Sequence, residues 1–230
     1  MQLKMKVLLA AAICWTGSFA LATPVTLPAG LQAGDQYRLV FVTSTEHDAI
    51  SANIVDYNSL VSAVAAAVPE LNALGTTWRA IGSTESTNAR DNTGTNPFVS
   101  AGVPLYRLDG TKIADDNSDL WDANGIDANI STNELGAIEA KEVWSGTNLD
   151  GTTDFISPLG GAISIFGTTN SSPEFWLYAG GASSTDTLHA FYAMSDVLTA
   201  VPEPSAVALF ALGLMGLAAG FLRRGKSSVI

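Results

Sequence analysis

The densest group of side chains that could do chemistry is an acidic cluster between residues 115 and 127. Closely spaced oxygen ligands suit Ca²⁺, which takes about six to eight of them. Asp115, Asn117 and Asp119 match the first three ligand positions of an EF-hand loop. However, Leu120 stands where the sharp turn needs glycine, and the closing bidentate glutamate is missing. We therefore expect a solvated loop that caps its own backbone, and no cofactor beyond weakly held calcium.

A second kind of chemistry would need a nucleophile with a base. His189 lies near Ser183, Ser184 and Asp186 in sequence, but no Gly-x-Ser-x-Gly turn is present. We interpret His189 as a packed residue and predict no catalytic residues. A glycosidase needs only two carboxyl groups, and the sequence cannot pick such a pair from so many acids. A secreted hydrolase that acts on matrix polysaccharide therefore stays open as the alternative.

Tryptophans offer a third possibility. Trp144 precedes a glycine-rich loop, and its ring could stack against a sugar as a ligand contact. A ring of this size is more often largely buried, so we favour a place in the core and keep ligand binding as the weaker interpretation. The same interpretation applies to three further tryptophans: Trp78, Trp121 and Trp176.

The elements that must position these groups are short. Residues 37–43 are rich in β-branched and aromatic side chains and predict a strand. Residues 50–68 have the apolar spacing of an amphipathic helix, which Pro69 ends. Asp109-Gly110 and Asp150-Gly151 predict turns. Further short elements are expected at 77–81, 103–108, 111–114, 142–145, 162–166, 175–178 and 189–194 as strands, and at 118–121 as a helical turn. This pattern predicts an α+β fold with an antiparallel sheet and long loops.

Charge excludes some partners. The chain has 22 acids and 11 bases, and residues 23–200 keep 21 of the acids and six of the bases, a net charge of −15. Nucleic acid is an unsuitable partner, because phosphate binding needs basic patches. Anionic polysaccharide would also be repelled, unless cations bridge the two. Three arginines are expected to pair with acids and order loops: Arg79, Arg90 and Arg107.

The N-terminal end has the pattern of a secretory signal peptide. Lys4 and Lys6 form a basic region, residues 7–21 are mostly apolar, and Ala20 and Ala22 form an A-x-A site before Thr23. We expect residues 1–22 to be removed and residues 23–200 to form one exported globular domain. The chain's only cysteine, at position 14, would leave with the signal peptide, so that domain would contain no disulfide.

The C-terminal end combines a proline-containing tether, an uncharged run and a basic tail. Pro202, Glu203 and Pro204 precede an apolar run at 206–222, and basic residues follow it. The run has the minimum length for a membrane-spanning helix, and the positive-inside rule keeps its basic end in the cytoplasm. This arrangement resembles the PEP-CTERM sorting signal of exopolysaccharide-producing Gram-negative bacteria. The resemblance implies that residues 201–230 anchor the chain in the membrane until an exosortase processes it.

The central region has a second resemblance. Residues 78–83, 103–110, 120–121 and 143–151 follow the order and rough spacing of the endostatin-like branch of the C-type lectin-like fold. The last of these segments reads Val-Trp-Ser-Gly-Thr-Asn-Leu-Asp-Gly. The resemblance implies a C-type lectin-like fold across residues 77–198.

That resemblance does not carry over the family's binding functions. The disulfides, basic heparin face and zinc-binding histidines of the animal proteins have no counterparts here, nor do the Glu-Pro-Asn and Trp-Asn-Asp motifs of calcium-dependent sugar binding. The sequence therefore favours a non-catalytic exported protein at the cell surface or in the extracellular matrix. Its expected roles are adhesion, biofilm structure or association with exopolysaccharide, and its expected partners are the secretion machinery, the exosortase and extracellular polysaccharide.

Overall fold

The structure is a computed structural model that describes residues 23–122 and 124–201. It is a mixed fold with one large sheet and few helices. The helices are α1 (Ile54–Ala66), α2 (Pro69–Asn72), α3 (Ala89–Asn92) and α4 (Asn117–Leu120). The strands are β1 (Gln36–Val42), β2 (Trp78–Ala80), β3 (Leu105–Arg107), β4 (Lys112–Ala114), β5 (Glu142–Trp144), β6 (Ile163–Thr168), β7 (Ala182–Ser184), β8 (Ala190–Ser195) and β9 (Leu198–Thr199).

The nine strands form one sheet whose main path runs β4-β3-β1-β8-β5-β6-β7. Strand β2 pairs with β8, and β9 pairs with β1 beside this path. The expectation of an antiparallel sheet is wrong in two places, because β1 pairs with β3 and β5 pairs with β8 in parallel. Both parallel pairs join strands that are distant in sequence, so turn signals could not reveal their direction.

The centre of the sheet is buried on both faces, which explains the continuous apolar run of β1. Leu39 and Phe41 face a core cluster that includes helix α1, while Val40 and Val42 face a second cluster that includes Trp121. Alternate residues of a strand point to opposite faces, so both sets must be apolar here.

Helix α1 starts later than the apolar spacing predicts. The Asn53 side chain accepts a hydrogen bond from the Val55 backbone at 3.1 Å and caps the first turn. The helix buries Tyr57, Val61 and Ala65 against the sheet. It ends at Ala66, before Pro69, and that proline opens the separate short helix α2.

One predicted strand is absent. Residues 175–178 do not pair with the sheet, and a 3-10 turn at Pro173–Phe175 precedes the buried residues Trp176 and Leu177. An apolar, aromatic run predicts burial, but it does not say whether the backbone is extended. The predicted turn at Asp109-Gly110 does connect β3 to β4, with Gly110 at φ +84°. Within the described residues no helix has the length and apolar character needed to cross a bilayer.

Candidate functional site in the long loops

The acidic cluster uses its carboxylates to order its own loop. Asp119 Oδ2 accepts a hydrogen bond from the Asp115 backbone at 2.7 Å, and Asp115 forms an ion pair with Lys112. Asp116 Oδ1 accepts the backbone N–H groups of Ser118 and Asp119 and caps α4. These oxygens therefore have structural partners.

Asn117, the middle residue of the calcium pattern, points away from the two aspartates that flank it. Its side chain is buried, and its Nδ2 donates to the Ser100 carbonyl oxygen at 2.9 Å. Its Oδ1 lies so close to Gly102 that a Cβ added to that glycine would be only 2.1 Å from the oxygen. Among residues 23–122 and 124–201, no three histidine, cysteine or carboxylate side chains lie close enough to share a metal ion. The Asn117 side chain is thus engaged with the 100–102 segment.

Trp144 lies in the core beneath the loops. Its ring is fully buried, its Nε1 donates to the His47 carbonyl oxygen at 3.0 Å, and the His189 ring lies 4.3 Å away in an edge-to-face arrangement. No face of the indole is open to solvent, so a sugar could not stack on it without rearrangement.

His189 is held in the same part of the core. Its ring packs against both Trp144 and Phe166, and its Nδ1 is 3.4 Å from Glu142 Oε2. Burial lowers the pKa of His189, although the nearby carboxylates Glu142 and Glu46 oppose this shift. Its sequence neighbour Ser183 donates its hydroxyl to Thr187, at 3.1 Å.

Two of the three arginines hold neighbouring loops in place. Arg107 donates to the Asn129 carbonyl oxygen at 2.7 Å and pairs with Asp109. Burial would raise the pKa of Asp109, but the hydrogen bonds from Arg107 and Thr111 outweigh burial and lower it to about 2. Arg90 donates to the Asp150 carbonyl oxygen at 3.2 Å. The expected loop-ordering role of these arginines is confirmed.

The third arginine, Arg79, pairs across strands. Its Nε lies 3.5 Å from Asp196 Oδ1, and both side chains are partly exposed. This contact links β2 to the segment that follows β8. The pairing with an acid is as the sequence predicts, but a pair this exposed contributes little to stability.

The loop that follows β5 is fixed by two glycines of the sequence pattern. Gly146 has φ +58°, and a Cβ there would lie 2.5 Å from the Leu159 backbone nitrogen. Gly151 has φ +79°, and a Cβ there would lie 2.7 Å from the Trp121 ring. Only glycine satisfies both the left-handed backbone and the close approach. These two glycines therefore allow the loop to pack closely against the Leu159 backbone and the Trp121 ring.

Above this loop lies an open groove of about 540 Å³, which we call the loop groove. Its lining residues are Thr147, Asn148, Leu149, Asp154, Ile156 and Ser157 from the loop after β5, Ile165 from β6, and Tyr178, Gly181 and Ala182. Tyr178 is 47% exposed and Ile156 is 86% exposed, so both present apolar surface to solvent. The polar groups in the groove include the side chains of Asn148 and Asp154.

The polar side chains of the loop groove are held in place. Asp154 Oδ1 accepts the Ile156 and Ser157 backbone N–H groups at 3.0 and 2.8 Å. Asn148 Nδ2 donates to the Thr153 carbonyl oxygen at 3.0 Å. The groove therefore combines an exposed aromatic ring with fixed amide and carboxylate groups. Such a combination suits a ligand with one apolar face and several hydroxyl groups.

The surface beside the loop groove also exposes large apolar side chains. Phe98 is 85% exposed and lies under the Arg90 guanidinium, 5.4 Å from it. Phe155 is 78% exposed, between the groove-lining residues Asp154 and Ile156 in the chain. The two loops are joined, because Asn88 Oδ1 accepts the Thr153 backbone N–H at 3.0 Å. Exposed apolar residues grouped on loops are typical of binding surfaces.

Sequence reasoning did not find Tyr178, Asn148 or Asp154 as site residues. Tyr178 falls in the run predicted as a strand, where it would simply alternate with buried neighbours. Asn148 and Asp154 resemble ordinary turn residues. Nothing in the local sequence signals that the two loops lie side by side.

Most of the residues predicted to direct processing lie outside the described part of the chain. Ala20, Ala22 and the motif Pro202, Glu203 and Pro204 fall outside the described residues, as does the proposed membrane helix at 206–222. Thr23, the expected first residue after cleavage, is described and exposed. Its backbone passes close to Gly136, where a Cβ would lie 2.9 Å from the Thr23 carbonyl carbon.

Comparison with known families identifies the tail. Residues 200–224 match the model of the PEP-CTERM protein-sorting motif. No curated protein matches the chain in sequence. The match indicates a C-terminal sorting signal, export to the cell surface and an exosortase as the partner that recognises the signal. It covers the tail alone and says nothing of what the folded region binds.

Proposed function

We propose that the folded region of this exosortase-sorted protein binds a neutral extracellular polysaccharide at the loop groove, without catalysing a reaction. The protein would then serve adhesion, biofilm structure or association with exopolysaccharide at the cell surface. The observation that carries the proposal is Tyr178, which is exposed between loops that also present Asn148 and Asp154. A sugar has apolar C–H faces for such a ring and hydroxyl groups for an amide and a carboxylate.

Charge favours a neutral polymer. Residues 23–200 have a net charge of −15, so an anionic chain would approach against repulsion. The loop groove itself contains one carboxylate, Asp154, and no basic residue. The ligand class that suits both the groove and the whole domain is an uncharged glycan.

The number of carboxylates in the loop groove favours binding over the hydrolase alternative. A glycosidase places two carboxyl groups on either side of the bond that it cleaves. Asp154 is the only carboxylate of the loop groove, and its Oδ1 holds two backbone N–H groups. A hydrolase at this groove would need a second acid from outside it. We therefore propose binding and keep hydrolysis as an outcome of the test.

The proposal also includes a C-type lectin-like fold for the domain and the removal of both terminal signals. The order of the segments across residues 77–198, and the loops that lie above Trp144, support a C-type lectin-like domain. The A-x-A pattern before Thr23 and the apolar run at 206–222 support a cleaved signal peptide and a membrane anchor that lasts until the exosortase acts.

A binding array tests the proposal. The purified protein comprising residues 23–200 is applied to glycans and bacterial polysaccharides, once with millimolar calcium and once with chelator. We expect retention on neutral glycans that does not need calcium. Retention that disappears with chelator would assign a role to the acidic cluster, and release of shortened sugars during incubation would support the hydrolase. Absence of retention on every neutral glycan would contradict the proposal.

A further inference from the structure

A second depression lies where the described chain ends, and we call it the exit groove. It has a volume of about 760 Å³, within the roughly 300–1,000 Å³ typical of ligand clefts. Its walls come from the N-terminal segment, the turn after α2, and strand β9. Its apolar lining includes Leu27, Tyr37, Leu74, Val197, Leu198 and Val201.

The exit groove is uncharged in a strongly acidic protein. None of its eleven lining residues carries a charge, although residues 23–200 contain 21 acids. Val197 is 41% exposed and Val201 is 76% exposed, so apolar surface is open to solvent there. Such surface favours a partner that is itself mostly apolar and uncharged.

The chain leaves the sheet at a fixed point on the wall of this groove. Strand β9 pairs with β1 through Leu198 and Tyr37. The Ala200 backbone N–H donates to the Asp35 carbonyl oxygen at 2.8 Å, and its carbonyl oxygen accepts the Gly34 N–H at 3.0 Å. Val201 follows directly and lines the groove. The next residues therefore start beside an apolar cleft.

Those next residues have the chemistry that the cleft suits. They read Pro-Glu-Pro-Ser, residues 202–205, with a single charge. Prolines favour the polyproline II conformation, which rises about 3.1 Å per residue and turns once in three residues. Pro202 and Pro204 supply two apolar rings to such a segment, and Glu203 is its one charged residue. Proline-rich segments in this conformation commonly dock in apolar grooves with aromatic walls, at low cost in conformational entropy.

We propose that residues 202–205 occupy the exit groove in the unprocessed chain, so that the folded region holds its own sorting motif. The groove is built from parts of the chain that are distant in sequence: residues 26–27, Tyr37 of β1, residues 73–76 and residues 197–201. Release of the motif to the exosortase would then depend on the state of the folded region. This inference concerns the tail alone and does not depend on what the loop groove binds.

Disulfide trapping in the full-length chain tests the proposal. Cys14 is first replaced by serine, since it is the only cysteine. Ser205→Cys is then combined with Leu74→Cys in the exit groove, or with Ile163→Cys as the control. Ile163 is 44% exposed on β6, three strands away from β1 in the sheet. Cross-linking is measured in detergent micelles under mild oxidation, after circular dichroism has shown that each variant is folded.

The short tether from Val201 already brings position 205 near Leu74, so the Leu74 pair should form an intramolecular disulfide faster than the control pair in any case. We expect Val197→Asp to slow the Leu74 pair about tenfold and to leave the control pair unchanged, because docking raises the effective concentration of the two thiols beyond what the tether gives. If Leu74→Cys does not fold, Val197→Cys takes its place, with Leu74→Asp as the groove variant. A Leu74 pair that cross-links equally fast with and without Val197→Asp would overturn the proposal. Disulfides between two chains would overturn it as well, because a second copy would then occupy the groove.

Discussion

At the scale of single residues, the side chains that attract attention in the sequence serve the structure. Trp144 opens the most distinctive segment of the chain, and it is buried where the loops cross the sheet. Asp116 caps helix α4, and the Asp119 side chain accepts a hydrogen bond from the Asp115 backbone. The side chains that could meet a ligand, such as Tyr178, lie in runs that the sequence assigns to ordinary strands or turns.

The first prediction concerns Trp144. Trp144→Ala should lower the free energy of unfolding by about 3–5 kcal/mol, because it opens a cavity and removes the hydrogen bond to the His47 carbonyl oxygen. Phe98→Ala, which truncates an 85% exposed ring, should cost less than about 1 kcal/mol. Chemical denaturation of both variants checks this. A small loss at Trp144 together with weaker glycan binding would show that the ring is a ligand contact.

The second prediction concerns the pH dependence of stability near His189. Burial holds the folded-state pKa of His189 below its ordinary value of 6.5, so the unfolded chain binds the proton more readily. The contribution of His189 is fully present above pH 6.5 and is lost as the pH falls through the folded-state pKa. Denaturation at a series of pH values should therefore show stability rising toward pH 6.5. The rise should be smaller in His189→Gln, and an unchanged slope in that variant would contradict this account.

At the scale of elements, strong local signals predicted structure well and distant pairings were missed. The apolar spacing of α1, the β-branched run of β1 and the Asp109-Gly110 turn are local properties, and the structure confirms all three. The parallel direction of β1 with β3 depends on residues more than sixty positions apart, and no local pattern encodes it. The 175–178 run failed as a strand, since burial alone does not fix the backbone.

The third prediction concerns the glycine that positions the loop after β5. Gly146→Ala should lower the free energy of unfolding by more than about 3 kcal/mol, because it adds strain at φ +58° to a clash with the Leu159 and Ser83 backbones. Gly180→Ala is the matched control, with φ +88° and no atom within 4 Å of the added Cβ. It should cost only the backbone strain, about 1–2 kcal/mol. Equal costs in thermal or chemical melts would show that the close approach at Gly146 is unimportant.

At the scale of the whole molecule, the tail indicates where the protein is sorted, and the folded region provides the surfaces for binding proposed above. The tail matches a known sorting motif, and that match establishes export and the sorting partner. The folded region contains one nine-stranded sheet, the loop groove, and the exit groove at the junction with the tail. The loop groove could not be predicted from the sequence, because two loops more than twenty residues apart build it.

The fourth prediction concerns processing in the producing cells. Protein recovered from them should begin at Thr23 and end near Pro204, because an A-x-A site precedes Thr23 and the sorting motif lies at the tether. Intact-mass measurement checks both ends at once. A chain that keeps Met1 would contradict signal cleavage, and one that keeps Arg223 and Arg224 would contradict removal of the tail.

The central claim is that the loop groove binds a neutral polysaccharide, and the affinity of matched variants tests it most directly. The dissociation constant is measured by calorimetry, with a neutral glycan retained on the array, for the wild-type protein, Tyr178→Ala and Ile138→Ala. Ile138 is 67% exposed and lies outside the loop groove. We predict that Tyr178→Ala weakens binding about tenfold or more, with unchanged melting temperature, while Ile138→Ala binds as the wild type does. Equal affinities for all three proteins would contradict the assignment of this groove as the binding site.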